Sequence, residues 1–326
     1  MQYRTFGRAG WNVSAIGAGT WALGSNWGPQ DDAKSIAALH QALDLGCNFI
    51  DTARAYGDGR SERIIAQTLK ERSDEKIYVA SKIPPKLPGD WPPSPYDTLE
   101  DRYPAPHVQA ELEASLRDLQ TDCIDLMQIH TWSRAWNDHP AVFEQMARFK
   151  QQGKIRAVGV STPEHDQSAV LDLMRMKLVD SVQVIYNIFD QDAAMQIFPL
   201  AEKLEIAVIV RVPFDESSLT GKLTHDTQFA EGDIRRGYFA GDRLGRTVHR
   251  VEAIRQSIAD REPDLVTAAL KFALKPTAVS TVIPGIRNVR QAELNCAVGD
   301  QPALSNELEA ELRKHYWRRP FWYSGK

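Results

Sequence analysis

The sequence predicts an α/β protein in which eight parallel strands, each followed by a helix, close into a (β/α)8 barrel with an N-terminal hairpin and long loops at its C-terminal face. Two observations predict this fold. Short apolar runs alternate with amphipathic helical segments along the 326 residues, and ionisable side chains stand where several apolar runs end. Eight such units favour a closed barrel over an open sheet. No linker interrupts the pattern, so we expect residues 1–326 to form a single domain.

The first predicted element is a hairpin. Residues 1–15 contain two short segments of mixed polar and apolar residues around Arg8, and we expect this hairpin to plug the floor of the barrel. The eight strands follow at about residues 16–20, 48–53, 77–82, 123–130, 155–161, 179–186, 207–212 and 280–283.

The helices are predicted from apolar residues that recur at helical spacing. Ile36, Leu39 and Leu43 form one stripe on the first helix, which ends before Gly46, a residue typical of a left-handed helix cap. The eight helices are predicted at about residues 31–45, 61–71, 107–119, 141–150, 163–176, 193–203, 264–274 and 289–297.

Two connections are long. Residues 84–106 are rich in proline, and residues 214–247 are polar and contain glycine. Long connections in compact domains are usually functional. We therefore expect both to be loops at the rim of the barrel mouth, the second of them functional.

Composition and charge exclude several classes of protein. The formal net charge of -4 and the pI near 6.1 indicate no basic patch for nucleic acid. No stretch approaches the roughly 18 apolar residues of a membrane span, and the N-terminus lacks the apolar core of a signal peptide. Cys47, Cys123 and Cys296 show no disulfide spacing, and the histidines show no metal-binding motif. We expect a cytoplasmic protein without a metal, membrane or nucleic-acid partner; nothing in the sequence indicates the oligomeric state.

Four ionisable residues stand at the ends of consecutive predicted strands. Asp51 lies near the end of the second strand and Tyr56 just beyond it, while Lys82 ends the third strand and His130 the fourth. Parallel strands bring their C-terminal ends to one rim, where ligands bind in such folds. Each residue alone has an ordinary explanation as a turn residue, a rim aromatic, a solvated charge or a core histidine. Together they predict an active site.

A glycine pattern near the N-terminus suggests a different nucleotide site. Gly17, Gly19 and Ala22 fit G-x-G-x-x-A after a strand, as in a Rossmann fold. That motif needs a helix directly after the second glycine, because the pyrophosphate rests on the helix N-terminus. Gly24 and Gly28 lead us to expect no helix there, so the Rossmann interpretation is the weaker one.

Several longer motifs resemble the aldo-keto reductase family. They extend over almost the whole chain in the family's order, which is more specific than any single motif. The resemblance implies a TIM barrel that binds NADPH across its C-terminal mouth, without a Rossmann domain, and reduces aldehydes or ketones. The motifs are GAGTWALG from Gly17, DTARAYGDGRSE from Asp51, ASK from Ala80, SLRDLQTDCIDLMQIH from Ser115, GKIRAVGVS from Gly153, QVIYN from Gln183 and VIPGIRNVRQAELN from Val282.

The chemistry of carbonyl reduction suits the same four residues. Hydride transfer to a carbonyl creates an alkoxide, which needs a proton donor and stabilisation of its charge. Tyr56 is the candidate acid; a free phenol has a pKa of about 10, and the ammonium of Lys82 would lower it. Asp51 would hold Lys82 in place as a cation, and His130 would orient the substrate oxygen. The family resemblance implies the same four roles.

The resemblance also implies residues for the nicotinamide end of the cofactor. Ser161 and Gln183 match residues that hold the carboxamide, and Thr20 and Trp21 match the lining of the cofactor and substrate site. Thr162 departs from the pattern, since the family commonly has asparagine there.

Arg211 is a larger departure. Many family members have an aromatic residue at this position that stacks on the nicotinamide ring. A guanidinium plane can also stack on a flat ring, but a positively charged oxidised nicotinamide would repel it. We therefore hypothesise that Arg211 favours the reduced cofactor.

A C-terminal segment matches the part of the family that holds the adenosine end. The matching residues are Gly285, Arg287, Gln291 and Asn295. Arg287 suits a 2′-phosphate, because a guanidinium recognises phosphate with paired donors. The sequence therefore favours NADP(H) over NAD(H).

The loop that clasps the pyrophosphate in the family also has a counterpart. Pro213, Phe214 and Lys222 match it, and Arg235 is a weaker match. The alternative is that Lys222 and Arg235 are ordinary solvated loop charges, and for Arg235 this interpretation is equally good.

Two other functions are alternatives. A Schiff-base aldolase also places a lysine on a barrel strand, and Lys82 would then be the nucleophile. Some relatives of the family serve as cofactor-sensing subunits of ion channels, so a regulatory, cofactor-binding role is the second. The sequence does not identify the carbonyl substrate. Candidates for the pocket walls are Trp21, Trp27, Trp91, Trp132 and Trp136.

Overall fold

An N-terminal hairpin covers one end of the molecule in the computed structural model, which describes residues 1–24, 28, 30–87, 89, 91 and 93–317. Strand β1 (Tyr3–Phe6) pairs antiparallel with β2 (Trp11–Ser14) across a 3₁₀ turn. Phe6 is fully buried, and its ring stacks on that of Phe49, at the start of the second barrel strand, with centroids 5.6 Å apart. The hairpin thus plugs the floor of the barrel, as the sequence predicts.

Eight parallel strands form one sheet in which each strand pairs with its neighbour along the chain. Bridges from Ile16 to Val282 and from Gly19 to Gly285 join the first and last strands, so the predicted (β/α)8 barrel is confirmed. An added Cβ on Gly19 would lie 2.7 Å from the carbonyl oxygen of Ile283, so this glycine lets the two strand ends meet. The strands are β3 (Ala18–Gly19), β4 (Phe49–Asp51), β5 (Tyr78–Ile83), β6 (Ile124–Ile129), β7 (Ile155–Ser161), β8 (Ser181–Ile185), β9 (Ala207–Arg211) and β10 (Val279–Val282).

Helices cover the outside of the barrel, and their apolar stripes pack on the sheet to form the main core. Each predicted helix is present, but the one expected at 163–176 is reduced to a 3₁₀ turn and a five-residue helix. The helices are α1 (Trp21–Gly24), α2 (Asp32–Asp44), α3 (Arg60–Glu71), α4 (Leu99–Arg102), α5 (Ala105–Leu119), α6 (Val142–Gln151), α7 (Leu171–Arg175), α8 (Ala193–Leu204), α9 (Arg235–Tyr238), α10 (Arg243–Ile258), α11 (Leu265–Leu274), α12 (Val289–Ala297) and α13 (Asn306–Arg313).

Both predicted long loops contain helical structure. Helix α10 begins inside residues 214–247, so the expectation of one continuous loop there is wrong. The apolar stripe of α10 is narrow and consists of the buried residues Val251, Ile254 and Ile258. The arginines between them make this pattern hard to detect in the sequence. Residues 84–106 hold the one-turn helix α4 and the first residues of α5.

The segment after Gly19 also differs from the expectation. Helix α1 begins at Trp21, although the glycines that follow favour no helix there. Gly24, the last residue of α1, packs closely on the loop after β4 that carries Tyr56, here called the tyrosine loop. An added Cβ on Gly24 would lie 2.1 Å from the carbonyl oxygen of Tyr56. These glycines therefore serve barrel closure and the position of the tyrosine loop, and the closed sheet is not that of a Rossmann fold.

The three cysteines are free thiols. Cys47 and Cys296 are buried, and burial raises their pKa to about 11 and about 12, which makes them poor nucleophiles. Among the described residues, none of the helices has the length and apolar character that crossing a membrane requires. In the same part of the chain, no group of three or more His, Cys, Asp or Glu side chains is arranged to hold a metal ion.

Candidate active site

A buried ion pair lies at the mouth of the barrel. Lys82, near the end of β5, is fully buried. Its Nζ donates to Asp51 Oδ1 over 2.6 Å and to the carbonyl oxygen of Thr52 over 2.7 Å. A longer contact of 3.4 Å joins Nζ to the phenol oxygen of Tyr56. Three of the four side chains predicted to be catalytic thus lie together.

Two amide groups hold the other oxygen of Asp51. Its Oδ2 accepts from Gln183 Nε2 over 2.7 Å and from Gln128 Nε2 over 3.3 Å. Gln183, predicted to bind the nicotinamide carboxamide, uses its nitrogen here and keeps its carbonyl oxygen as an acceptor. Gln128 lies opposite Lys82 in the register of β5 and β6 and is not predicted from the sequence. A glutamine inside an apolar strand was the available signal.

Tyr56 lies half-buried on the loop after β4, and its backbone fixes it. Its N–H donates to the carbonyl oxygen of Ala53 over 3.0 Å, and its carbonyl oxygen accepts from Ser61 N over 3.2 Å. Burial raises the pKa of the Tyr56 phenol above its ordinary value of 10.0, although the charge of Lys82 lowers it. The expectation of a lowered pKa is therefore wrong for the protein alone, because desolvation outweighs the nearby ammonium.

A chain of hydrogen-bonded, buried hydroxyl groups lies next to the quartet and ends on the backbone of Asp51. Thr52 Oγ1 donates to Ser61 Oγ, Ser61 Oγ donates to Thr20 Oγ1, and Thr20 Oγ1 donates to the carbonyl oxygen of Asp51, each over 2.8 Å. The backbone of Thr52 is in turn an acceptor for Lys82. The hydroxyl chain therefore fixes the backbone that positions the ion pair.

His130 stands just after β6 and completes the predicted quartet. Its ring lies edge-on to Tyr56, with centroids 5.8 Å apart, and edge-on to Trp91 at 4.9 Å. Burial lowers the pKa of His130 well below 6.5, and the charges of Lys82 and Arg211 lower it further. Its buried Nδ1 has no hydrogen-bond partner in the described part of the chain. A neutral imidazole can donate one N–H, so His130 can orient a substrate oxygen.

A long groove runs from the quartet across the barrel mouth. A cavity of about 310 Å³ contains Asp51 and Tyr56 and extends to Arg287 and Gln291, which also line a second cavity of about 570 Å³. Ser161 is buried at the end of β7, in register with Gln183. The predicted cofactor residues that line the groove are Thr20, Trp21, Gln183, Arg211, Pro213, Phe214, Lys222, Gly285, Arg287, Gln291 and Asn295.

Arg211 enters the groove from the end of β9. One terminal nitrogen donates to the carbonyl oxygen of Thr162 over 3.0 Å and to Glu164 Oε1 over 3.3 Å. Its Nε is buried and has no hydrogen-bond partner among the described residues. The hydroxyl of Thr162 donates to Gln167 over 3.2 Å, so it is used within the protein.

The predicted adenosine-end residues form a connected unit. Arg287 Nε donates to Gln30 Oε1 over 3.0 Å, and the backbone N–H of Arg287 donates to Gln291 Oε1 over 2.8 Å. Asn295 Nδ2 donates to the carbonyl oxygen of Gly285 over 3.2 Å. This end of the groove is therefore preformed.

The first turn of α2 and the residues just before it line the second cavity, which is not predicted from the sequence. Gln30, Asp31 and Lys34 line this cavity together with Arg287. Gln30 and Arg287 contact each other although they stand 257 positions apart. Only the closure of the barrel brings them together, so no local pattern could reveal the pair.

The long connection after β9 supplies further lining residues. Glu216, Ser217 and Thr220 line the groove beside the predicted Lys222. Arg235, the weaker match, also lines it and pairs with Asp233 over 2.6 Å.

The tryptophans divide into two groups. Trp132 and Trp136 are buried and pack edge-on against each other with centroids 5.2 Å apart, so the expectation that they wall the pocket is wrong. Trp21 lines the groove, and Trp91 contacts His130. Trp27 lies outside the described residues.

The groove fits an extended nicotinamide dinucleotide. Near Asp51, Gln183 uses its amide nitrogen toward the carboxylate, and the buried Nε of Arg211 has no hydrogen-bond partner among the described residues. The other end carries the cations Arg287 and Lys34. Gly285 also lines the groove, and an added Cβ there would meet no atom within 4 Å, which leaves open space against its backbone.

Comparison with known proteins shows the family of this chain. The aldo/keto reductase family matches residues 15–316. The aldo-keto reductase YhdN of Bacillus subtilis (strain 168) is 34% identical over 242 residues, which cover 72% of this chain and 69% of that protein. The NADH-specific methylglyoxal reductase of Escherichia coli (strain K12) is 27% identical over 323 residues, covering 93% and 96%.

Solved structures agree with the fold. The glycerol dehydrogenase AKR11B4 from Gluconobacter oxydans superposes with a TM-score of 0.75 at 26% identity, covering 94% of this chain and 92% of that one. The holo form of aldo-keto reductase AKR11C1 from Bacillus halodurans has a TM-score of 0.76 at 24% identity, covering 97% and 96%, and shows likeness of fold alone.

Proposed function

Because the chain belongs to the aldo/keto reductase family of oxidoreductases, we propose that it is a single-domain, NADPH-dependent enzyme that reversibly reduces an aldehyde or ketone to the alcohol. The contacts of Lys82 Nζ with Asp51 and Tyr56 at the head of the groove carry the proposal. A nicotinamide bound in that groove would supply the hydride. Carbonyl reduction requires this combination of a positioned proton donor and a bound hydride carrier.

Tyr56 is the proposed general acid. It donates its phenol hydrogen to the substrate oxygen as the carbonyl carbon is reduced, and in the reverse direction the phenolate accepts the proton of the alcohol. Lys82, 3.4 Å away, stabilises the phenolate. Asp51 holds Lys82 in place, and the two amides on Oδ2 hold Asp51.

The raised pKa of Tyr56 supports the reductive direction. Burial keeps the phenol protonated through the neutral range, so the acid form is the one available. Oxidation of the alcohol needs the phenolate. We therefore expect reduction to be the faster direction at neutral pH and oxidation to accelerate as the pH rises.

His130 is the proposed residue that positions the substrate. Its imidazole is neutral at neutral pH, because burial and the nearby cations disfavour its charged form. A neutral imidazole can donate a hydrogen bond to the carbonyl oxygen without competing with Tyr56 as a stronger acid.

The cations at the far end of the groove support NADPH as the coenzyme. Arg287 and Lys34 line the same cavity, and a 2′-phosphate would pair with both. One relative is an NADH-specific enzyme, so the choice needs a direct measurement. Quenching of tryptophan emission by NADPH and by NADH gives the two affinities, and we expect NADPH to bind more tightly.

Arg211 is proposed to stack on the nicotinamide and to favour its reduced form. The ion pair with Glu164 offsets part of its charge, so the preference is expected to be modest. Replacing Arg211 with tyrosine should raise the affinity for the oxidised cofactor relative to the reduced one. An unchanged ratio would contradict this role.

The surroundings of Lys82 disfavour a Schiff-base aldolase. Its Nζ is fully buried and donates to two oxygen atoms of Asp51 and Thr52, which suits an ammonium better than a free amine. Treatment with a carbonyl compound and borohydride should leave Lys82 unlabelled. A covalent label at Lys82 would favour the aldolase.

Consumption of NADPH with a panel of aldehydes and ketones tests the proposed function. We expect turnover by the wild type and a loss of about 100- to 10,000-fold in Tyr56→Phe. Tyr96→Phe is the control, because Tyr96 is 95% exposed. Retained turnover in Tyr56→Phe would remove the proposed acid, and cofactor binding without any turnover would favour the regulatory alternative.

A further inference from the structure

Glu216 is a buried acidic residue in the groove. It lies on the loop after β9, is 6% exposed, and lines the cavity with Ser217, Lys222 and Arg235. In the part of the chain that the structure describes, its carboxyl group forms no hydrogen bond or ion pair, and neighbouring charges act on it only at a distance. Because Glu216 borders the groove, a ligand bound there can supply the hydrogen-bond partner that the protein does not.

The backbone of this loop is strained. Asp215, Glu216 and Ser217 have φ angles of 47°, 52° and 81°, in the left-handed region that such residues rarely adopt. The hydroxyl of Tyr238 donates to Asp215 Oδ1 over 3.3 Å, and Ser218 N donates to the carbonyl oxygen of Asp215 over 2.9 Å. Strain of this kind persists where the surroundings fix it, often at ligand sites.

The charges around Glu216 favour its neutral form. Burial raises the pKa of Glu216 to about 8, and Asp215 on the same loop contributes to the rise. Glu164, after β7, also raises the pKa, whereas Arg211 on β9 and Arg235 on α9 lower it. At pH 7 most of the carboxyl groups are therefore protonated.

The two cations are already paired with other carboxylates. Arg211 pairs with Glu164 over 3.3 Å, and Arg235 pairs with Asp233 over 2.6 Å. These pairs explain why two nearby guanidinium groups do not hold Glu216 ionised.

The chemistry of the ligand decides which form of Glu216 is useful. The groove is lined by Asp51 and Tyr56 of the quartet and by Arg287, and Glu216 borders the same groove as the cations Lys222 and Arg235. The charged centre of an extended dinucleotide is its pyrophosphate. An ionised carboxylate would repel a phosphate, but a protonated one donates a charge-assisted hydrogen bond to it.

We infer that Glu216 binds the cofactor pyrophosphate as a neutral acid and donates its carboxyl hydrogen to a phosphate oxygen. Dinucleotide binding should then take up one proton at any pH at which Glu216 of the free enzyme is ionised. This inference rests on the proposed function, because the dinucleotide must occupy the groove.

The inference defines the pH dependence of cofactor binding. Below about pH 8, Glu216 already carries the proton, and its contribution to affinity is constant. Above that pH, each unit lowers the affinity by a factor of about ten, because one proton must be bound with the ligand. Between pH 7 and pH 9 the Kd should rise roughly tenfold, and proton uptake should approach one per dinucleotide.

Calorimetric titration of the full chain with NADPH tests this. Measurements at pH 7, 8 and 9 in two buffers with different heats of protonation give both the Kd and the number of protons taken up. Glu216→Gln keeps the shape and a hydrogen-bond donor, so we expect tight binding at all three pH values without the uptake. Glu231→Gln is the control, because Glu231 is an exposed glutamate of the same connection, and it should behave like the wild type.

Three outcomes would contradict the inference in distinguishable ways. If the wild type and Glu216→Gln show the same pH dependence, Glu216 takes up no proton, and the proposed function is unaffected. If Glu216→Gln binds weakly at pH 7, an ionised carboxylate accepts a hydrogen bond from the ligand instead. If neither NADPH nor NADH binds either protein, the proposed function itself is wrong.

The stability of the protein without cofactor gives a second test. The pKa of Glu216 in the folded protein, about 8, lies above its ordinary value of 4.5, so the folded state holds this proton more tightly than the unfolded state. The stabilisation from this group is fully present below about pH 4.5 and is lost as the pH rises to about 8. The difference in free energy of unfolding between Glu216→Gln and the wild type should therefore grow in favour of the variant from about pH 4.5 to about pH 8. Above about pH 8 this difference should stay constant. An equal pH dependence in the two proteins would overturn the inference.

Discussion

The two ends of the barrel are built from different chemistry. At the floor, aromatic rings stack on one another. The ring centroid of Phe6 lies 5.2 Å from that of Trp11 and 5.6 Å from that of Phe49, and the centroids of Trp11 and Tyr78 are 5.0 Å apart. At the mouth, the fully buried Lys82 is surrounded by oxygen atoms. The floor stabilises the fold by burying apolar area, whereas a buried charge is costly to stability.

A single strand connects these two environments. Tyr78 starts β5 at the floor, and Lys82 stands near its other end. Stability and chemistry are thus separated along the strand rather than between domains. Substitutions at the floor should therefore change the free energy of unfolding, and substitutions at the mouth should change turnover.

The largest expected effect follows removal of the ion pair. The double variant Asp51→Asn, Lys82→Met lacks both charges, so turnover should fall about 100- to 10,000-fold. Its free energy of unfolding should stay the same or rise by about 1–4 kcal/mol, because neutral replacement of a buried ion pair is often stabilising. Steady-state kinetics and urea unfolding measure the two quantities. A loss of several kcal/mol would mean that the mouth also holds the fold together.

The floor should show the opposite behaviour. Phe6→Ala leaves a cavity under the barrel and should cost about 3–5 kcal/mol in urea unfolding. The kcat and KM of the remaining folded protein should match the wild type. Thr5→Ala, at an exposed position of the same strand, should cost about 0.5 kcal/mol or less. A changed KM in Phe6→Ala would show that the two ends are coupled.

A smaller effect, on cofactor affinity, is expected at the residues proposed to bind the adenosine end of the cofactor. Arg287→Gln removes a charge-assisted contact of about 1.5–3 kcal/mol, so the Kd for NADPH should rise about 10- to 100-fold while that for NADH changes little. Arg290→Gln, at an exposed position of α12, is the matched control. Equal losses for NADPH and NADH would mean that Arg287 does not recognise the 2′-phosphate.

The smallest effect is expected at Gln128. Its bond to Asp51 is 3.3 Å long, against 2.7 Å for that of Gln183. Gln128→Leu should therefore lower turnover only about 3- to 10-fold, as expected for one hydrogen bond, and leave the Kd for NADPH unchanged. Gln183→Leu should lower turnover and also weaken cofactor binding. Similar effects on both measurements in the two variants would contradict this division of roles.

The sequence predicts the barrel well because alternation is a local signal. Each strand and helix of the barrel carries its own apolar pattern, and β7 occupies the predicted residues 155–161. Helix α10 escapes prediction because arginines interrupt its apolar stripe. The four proposed catalytic residues are predictable because they lie at, or shortly beyond, the ends of apolar runs.

The rest of the candidate site depends on contacts between distant parts of the chain. Gln30 meets Arg287 only after the barrel closes. Glu216 looks like a solvated loop charge in sequence, and only the fold shows that it is buried. The direction of the Tyr56 pKa shift likewise follows from burial, which the sequence does not supply.

The closure of the barrel depends on few contacts, so a dinucleotide bound across it would brace the two strands that meet there. Only the bridges at Ile16 and Gly19 join the first strand to the last among the described residues. Thr20 borders the groove on one side of this seam and Gly285 on the other, so a bound dinucleotide would act as a cross-brace. Hydrogen exchange at the amide of Ile286, which donates to the carbonyl oxygen of Gly19, should slow on binding more than exchange within β6 and β7. A ligand that binds only the native state would then protect it against local opening at this seam.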